Sequence, residues 1–404
     1  MKLHEDRDAF KDALLRVSES LGILPALLEK DYYVTLLLEG LCKEAKGLVF
    51  KGGTSLSKCY KAIDRFSEDI DLSLDSAHLG SRQKQNLKQA IVKVASSLSL
   101  PIANLDETRS RRNYNCYLIP YPNLFGLASV SPTVKIETAF MTECYPLEEK
   151  TADSILGEWL KVNGFEEQAK AYGLFSFPAT VQTKERTFVD KVFALCDYYL
   201  EGRIEKHSRH IYDLHKLIDK VAPLETLMSL VDRVREDRRG KANCPSAQEG
   251  ADVPSILSKI LEEGCYKKDY EEKTCPMLYS PCPYEEASAS LEKIIASDAF
   301  KQRDEDGFYR LSLPLEAKVS SGKNNKIFKM REDGLYRGHV FIVANEFVSF
   351  DRASKLVHLC LPKDAAFELR EIRTGRTCEI SSGELAREFS KKRDWTGTRT
   401  ALRP

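Results

Sequence analysis

Apolar positions recur every three or four residues along the first 45 residues of the chain. "DAFKDALLRVSESLG" carries this spacing and stops at Gly22, and "PALLEKDYYVTLLLEGL" repeats it behind Pro25, a residue suited to the first turn of a helix. The period then shortens. "GLVFKGG" is a brief apolar strand that ends in two glycines, and "TSLSKCYKAI" opens a helix with Thr54 or Ser55 at its cap. "SEDIDLSLD" alternates as a strand, "RQKQNLKQAIVKVASSL" is an amphipathic helix, and "NYNCYLIPYP" and "SPTVKIETAF" read as two more strands. Residues 1–150 therefore predict a mixed sheet covered by helices, the α+β class. From 151 to 299 the pattern is helical. In "TKERTFVDKVFALCDYYLEG" the stripe Phe188, Val192, Leu195, Tyr199 faces a core, which leaves Lys191 on the polar side, free to face a cleft. "RHIYDLHKLIDKV", "LETLMSLVDRVRED" and "YEEASASLEKIIASDAF" continue the helical domain. From 300 to 404 the period returns to two in "GFYRLSLPLEAKV", "KIFKMRE", "GHVFIVANEFVSF", "KLVHLCLP" and "FELREIRTGRTCEI", which predicts a small β-rich C-terminal domain with a basic tail.

Composition narrows the class. Hydrophobic residues at 42% and charged residues at 30% fit a globular chain rather than a disordered one. No run reaches the roughly 20 apolar residues of a membrane span, and the charged N-terminus lacks a signal-peptide core, so the expectation is a cytoplasmic protein with no membrane partner. The 11 cysteines are scattered without a CxxC pair and read as reduced thiols. Their densest set, Cys244, Cys265, Cys275 and Cys282, matches no familiar zinc spacing. Net charge is zero, yet residues 301–404 carry 21 Lys and Arg against 15 Asp and Glu, a net of +6 that leaves −6 on the first 300. A basic end on an acidic body suits an anionic partner, and suits a well-solvated surface equally.

Chemistry concentrates in "VFKGGTSLSKCYKAIDRFSEDIDLSLD", residues 49–75. Asp69 and Asp71 stand two apart on a strand, so their carboxylates share a face about 6–7 Å apart. A cation between them removes their repulsion, and Mg2+, which takes oxygen ligands together with substrate phosphates, is the natural candidate. Glu68 alternates to the other face. Gly52 and Gly53 allow backbone N–H groups to come close to a phosphate, with Thr54 and Ser55 as hydroxyl donors and Lys51 and Lys58 as nearby cations. Either element alone is common without a ligand; a strand, a GG[T/S] turn, a helix and a DxD strand in succession is the layout that phosphoryl or nucleotidyl transfer needs.

These residues, "KGGTSLSKCY" followed by "RFSEDIDLSL", resemble the first motif of the nucleotidyltransferase superfamily that includes DNA polymerase beta, and more closely the AbiEii-type toxins of type IV toxin–antitoxin systems. "ERTFVDKVFALCDYYLEG", "SRHIYDLHKL" and "DYEEKTCPMLY" are similar to that family's later motifs, so the resemblance covers about residues 10–299. It implies a polymerase-beta-like nucleotidyltransferase domain in residues 1–150, a helical domain that completes the active site in 151–299, and catalytic roles for Lys191 and Asp213. Asp213 reads as a base or as an electrostatic partner of the lysine, against the plainer option of a surface pair with Arg209. Glu137 fits a third carboxylate on a neighbouring strand, against a plain cross-strand ion pair with Lys135. "ETRSRRNYNCY" places Arg109, Arg111 and Arg112 beside Tyr114 and Tyr117, a run able to contact a nucleic-acid backbone or simply to be solvated.

The expectation is thus an Mg2+-dependent nucleotidyltransferase toxin. By resemblance it moves a nucleotide from an NTP to an acceptor such as the tRNA 3′ end, with a cognate antitoxin as a partner. The alternatives are NTP-dependent modification of a protein, by nucleotidyl or phosphoryl transfer, and a non-catalytic module that binds nucleic acid or an antitoxin.

Overall fold

The computed structural model describes residues 2–301 apart from 76–77, 128–129 and 249, and beyond them the backbone of seven strands. The chain divides into two compact units, Met1–Val234 with Arg238–Phe300, and Arg235–Asp237 with Lys301–Pro404.

In the first unit, α1 (Arg7–Leu21) starts where the Asp6 side chain accepts from the Ala9 N–H and ends at Gly22 in the left-handed conformation. The next helix, α2 (Pro25–Glu44), is buried along most of its length, charged residues included. Then follow β1 (Leu48–Lys51), α3 (Gly52–Lys58), β2 (Asp69–Leu74), α4 (Ser81–Ser97), β3 (Tyr114–Pro120), β4 (Thr133–Ala139), β5 (Leu147–Ala152), α5 (Ile155–Val162), α6 (Glu166–Ala171) and β6 (Phe177–Gln182). The six strands form one sheet in the order β3-β4-β2-β1-β6-β5. β2–β4 and β1–β6 are parallel, and the other pairs are antiparallel. This is the expected mixed sheet of an α+β fold, extended by β5 and β6. The segment "FPATVQ" lies in a stretch whose general pattern is helical, and antiparallel pairing with β5 along its whole length makes it a strand, which β1 joins at Phe50 and Val181.

Alternation separates the two faces of the sheet. Ile70, Leu72, Val134 and Ile136 are fully buried and join α1, α2 and α4 in a first core. The opposite face carries Asp69, Asp71, Lys135 and Glu137. A second core is built from α7 (Lys184–Leu200), α8 (Arg209–Ile218), α9 (Met228–Arg238), α10 (Val253–Glu263), the tyrosines Tyr266 and Tyr270 that flank the short turn α11 (Lys267–Asp269), and α12 (Tyr284–Ala296). Leu56 of α3 and Ala62 and Ile63 behind it belong to this second core, which joins the sheet to the helices.

The second unit is a seven-stranded antiparallel sheet of β7 (Phe308–Gly322), β8 (Asn325–Met330), β9 (Gly338–Val343), β10 (Phe347–Asp351), β11 (Leu356–Pro362), β12 (Phe367–Glu371) and β13 (Arg376–Ile380), in the order β10-β11-β7-β8-β9-β12-β13. The alternating segments of the sequence all become strands, two of them becoming two strands each. The basic tail, 381–404, lies outside the described residues.

Candidate active site

Strand register builds the carboxylate group. Parallel pairing sets Asp69 beside Lys135 and Asp71 beside Glu137, and antiparallel pairing sets Lys51 beside Asp71. Asp69, Asp71 and Glu137 thus share one face on neighbouring strands. Burial, then the Glu68 and Asp71 charges, push the Asp69 carboxyl up from its ordinary value, against the pull of Arg209 and Lys135. Burial, then Asp71 and Asp69, push Glu137 up in the same way, while a hydrogen bond with the Tyr114 hydroxyl pulls it down. Asp69 Oδ1 is buried, and no described residue offers it a hydrogen bond; Oδ2 lies 3.9 Å from an Arg209 nitrogen. An all-oxygen donor set, mutual repulsion and an orphaned carboxylate oxygen fit a hard divalent cation. Glu68 turns away from this group to Lys30, whose ammonium lies 2.5 Å from it.

The two glycines answer to steric needs at the same place. Gly52 has φ +75°, and a Cβ there would stand 2.0 Å from Asp71 Oδ2. Gly53 has no room either, since a Cβ would meet Arg65 Nη2 at 2.8 Å and Ser67 Oγ at 2.9 Å. The turn therefore lets Asp71 and Arg65 press against the backbone. The hydroxyls differ from expectation. Thr54 Oγ1 donates to the Asp69 carbonyl at 2.5 Å and bonds Ser67 Oγ at 2.9 Å, and Ser55 Oγ donates to the Gly52 carbonyl at 2.9 Å. Both residues are buried and fasten α3 to β2 and to itself instead of pointing outward. Lys58 is likewise turned inward. Its ammonium, 4% exposed, bonds Asp31 and Thr35 at 2.6 Å each and the Asp153 carbonyl at 3.3 Å. Lys51 stays half-buried beside Asp71.

Lys191 and Asp213 are brought together. Lys191 Nζ donates to Asp213 Oδ2 at 2.6 Å, and Arg65 closes a fork on the same carboxylate through Nε and Nη2, both at 2.7 Å. Asp213 is 0% exposed and Lys191 6%. The polar side of α7 is thus buried, because α8 and the Arg65 segment cover it; it is not the open cleft wall that the stripe alone suggests. Burial alone would raise the Asp213 carboxyl, but Arg65 and then Lys191 outweigh it and hold it well below the carboxylate range. Both carboxylate oxygens are thus held by cations, Oδ1 by Arg65 and Oδ2 by Arg65 and Lys191. The surface pair with Arg209 does not form; Arg209 turns to Asp69 instead. Burial lowers Lys191, partly offset by Asp213 and reinforced by Arg65. One carboxylate between two cations leaves a surplus positive charge, and Arg65 carries it against Gly53.

The family model described as nucleotidyl transferase AbiEii toxin, Type IV TA system, matches residues 36–304. The chain belongs to this family. It is a nucleotidyltransferase toxin of a type IV toxin–antitoxin system, a class that uses an NTP and has a cognate antitoxin. Among solved structures it is similar to MenT4, a nucleotidyltransferase toxin from Mycobacterium tuberculosis H37Rv, at 17% identity over 72% of this chain and 91% of that one, with a TM-score of 0.43. A search among curated proteins gives no match. No helix among the described residues is long and apolar enough to cross a membrane.

The matched span of the toxin holds the whole carboxylate group, the glycine turn and the Arg65–Asp213–Lys191 cluster. Arg65 went unassigned in the sequence, although it stands four residues before Asp69 within the quoted motif. An aromatic stack was also missed. Tyr198 lies against His207 with ring centroids 3.5 Å apart, His210 follows at 5.6 Å from Tyr198, and the Arg203 guanidinium sits 4.9 Å from the Tyr198 ring. Burial, then Arg209 and Arg203, push His207 down to about 4, so it is neutral at neutral pH. In the "ETRSRRNYNCY" stretch, Arg109, Arg111 and Arg112 are exposed. Tyr114 is 47% exposed with its hydroxyl on Glu137, whereas Tyr117 belongs to the first core.

Proposed function

We propose that the toxin is Mg2+-dependent and transfers a nucleotide from an NTP to the 3′ end of an RNA acceptor such as tRNA, in the cytoplasm. The observation that carries this reading is the orphaned Asp69 Oδ1 within a group of three neighbouring carboxylates, beside a glycine turn that admits Asp71. Asp69 and Asp71 hold the ion, with Glu137 as the third carboxylate. Such an ion would supply Lewis-acid stabilisation of the negative charge on the substrate phosphates.

The protein groups do the rest. Gly52 and Gly53 let the triphosphate approach the backbone, and Arg209 with the surplus charge behind Gly53 draws it in. Lys191 and Asp213 act as one positioned unit, with Asp213 orienting the lysine. Glu137, on the strand beside Asp71, takes the proton of the acceptor hydroxyl as the new O–P bond forms and the bond to pyrophosphate breaks. The exposed Arg109, Arg111 and Arg112 and the basic residues 301–404 suit an RNA backbone. In this arrangement residues 1–150 act as the transferase core, 151–299 complete the site, and 300–404 hold the acceptor.

Incubation of the toxin with α-labelled NTPs, Mg2+ and total tRNA tests the reading. Label at the RNA 3′ end is expected. Label on protein, transfer of γ-label instead, or no label where an active family member works overturns it. Asp69→Ala is expected to abolish labelling, an outcome a mere binding module would not show.

A further inference from the structure

Away from the carboxylate face, three side chains of different chemistry gather where α8 meets the start of α12. The ligand atoms of His215, Cys282 and Glu286 all lie within 4.8 Å of one another, and His215 Nε2 is 3.6 Å from Glu286 Oε1. His215 is two residues beyond Asp213 on α8, which turns it about 200° around the helix from the Arg65–Lys191 cluster. Cys282 precedes α12, and Glu286 lies in its first turn, four residues on.

We propose that these three residues form a site for a zinc-class divalent cation that clasps α8 to α12. Thiolate, imidazole and carboxylate are the donor set that zinc accepts, and three protein ligands leave a fourth position for water. A tetrahedral zinc site needs ligand atoms about 3.3–3.6 Å apart, as bond lengths of about 2.0–2.3 Å dictate. The His–Glu pair already meets this, and Glu286, exposed on the surface, has the freedom to close the remainder. Two further features mark a prepared site. His215 Nδ1 shares a 2.8 Å hydrogen bond with Ser290 Oγ, which fixes the ring and leaves Nε2 to ligate, as outer-shell partners of metal-bound histidines do. Cys282 is 5% exposed while His215 and Glu286 open to solvent, so an ion has an entry path to a sheltered sulfur. Binding converts the Cys282 thiol to thiolate and releases its proton to water. The other clustered cysteines, Cys244, Cys265 and Cys275, lie outside this group. The site is independent of the nucleotide-transfer reading, since none of its ligands touches the carboxylate group.

The full chain, freed of metal by chelation under reducing conditions and titrated with Co2+, tests the proposal, because zinc itself is spectroscopically silent. One Co2+ per chain with a thiolate-to-cobalt charge-transfer absorption is expected, lost on adding Zn2+. Cys282→Ser removes the absorption, and Ser290→Ala weakens binding about 10–100-fold. Zinc raises the thermal midpoint of the wild type but not of Cys282→Ser. Absence of the charge-transfer absorption, or an absorption that survives Cys282→Ser, overturns the site. If Cys282→Ser does not fold, His215→Gln carries the same test from the solvent-facing side; unchanged Co2+ affinity there equally overturns it.

Discussion

Asp213 and Lys191 separate stability from catalysis at the level of single residues. Asp213 balances two buried cations. Asp213→Ala strands Arg65 and Lys191 together in the interior, and the expected cost is about 3–5 kcal/mol in chemical unfolding. Lys191→Met behaves differently. It leaves a one-to-one Arg65–Asp213 pair and removes an ammonium that burial pulls below its ordinary value despite its contact with Asp213. This variant is expected to unfold no more easily than the wild type while losing nucleotide transfer. If both variants lose the same stability, the cluster does not carry surplus charge. Gly52→Ala tests the turn in another way. The left-handed backbone costs about 1 kcal/mol for a residue with a side chain, and the new methyl displaces the Asp71 carboxylate. A misplacement on the order of 1 Å is expected to lower kcat about 100-fold with the fold intact, measured by initial rates and circular dichroism.

At the scale of elements, β2 and β4 concentrate like charge, and the pH dependence follows from its sign. Asp69 and Glu137 have folded-state values raised above their ordinary 3.8 and 4.5. Groups of this kind stabilise the fold fully below their unfolded values, and that contribution is lost as pH rises through the raised folded values. The metal-free toxin is therefore expected to lose this stability toward neutral pH, where ionised carboxylates repel. Mg2+ reverses the loss, so its increase in thermal midpoint is expected to be large at neutral pH and to vanish on acidification. Asp69→Asn should raise the metal-free midpoint at neutral pH and abolish the Mg2+ response; an unchanged response removes Asp69 from the site. What the sequence reveals of this is local. A period of two is enough to place Asp69 and Asp71 on one face, and Gly22 marks the end of α1. The fate of Thr54, Ser55 and Lys58 is not legible there, because it depends on Ser67, Asp31 and Asp153, which only the fold brings near. Arg65 stays hidden for the same reason, since its partner lies 148 positions away. The strand β6 exists because β5 pairs with it along all six residues, not because "FPATVQ" announces it.

The division of the whole molecule bears on how an acceptor is held. Both cores of the first unit close with residues up to Phe300, so a chain ending at Lys301 has what it needs to fold. Such a chain loses a net charge of +5, since residues 302–404 carry 20 Lys and Arg against 15 Asp and Glu, and it is left acidic because 61 basic and 61 acidic residues balance in the full toxin. If residues 302–404 hold the RNA, the effect falls on one substrate. The KM for tRNA is expected to rise at least about tenfold at low salt, and the gap between the two chains to narrow as salt screens the remaining contacts. The KM for NTP is expected to stay as it is, because the carboxylates, Gly52 and Lys191 all remain. Cooperative unfolding of the shortened chain, followed by steady-state kinetics at two salt concentrations, distinguishes the outcomes. A chain that unfolds cooperatively and binds both substrates as before would assign the acceptor to the first unit, where Arg109, Arg111 and Arg112 stand exposed beside the strand that brings Tyr114 to Glu137.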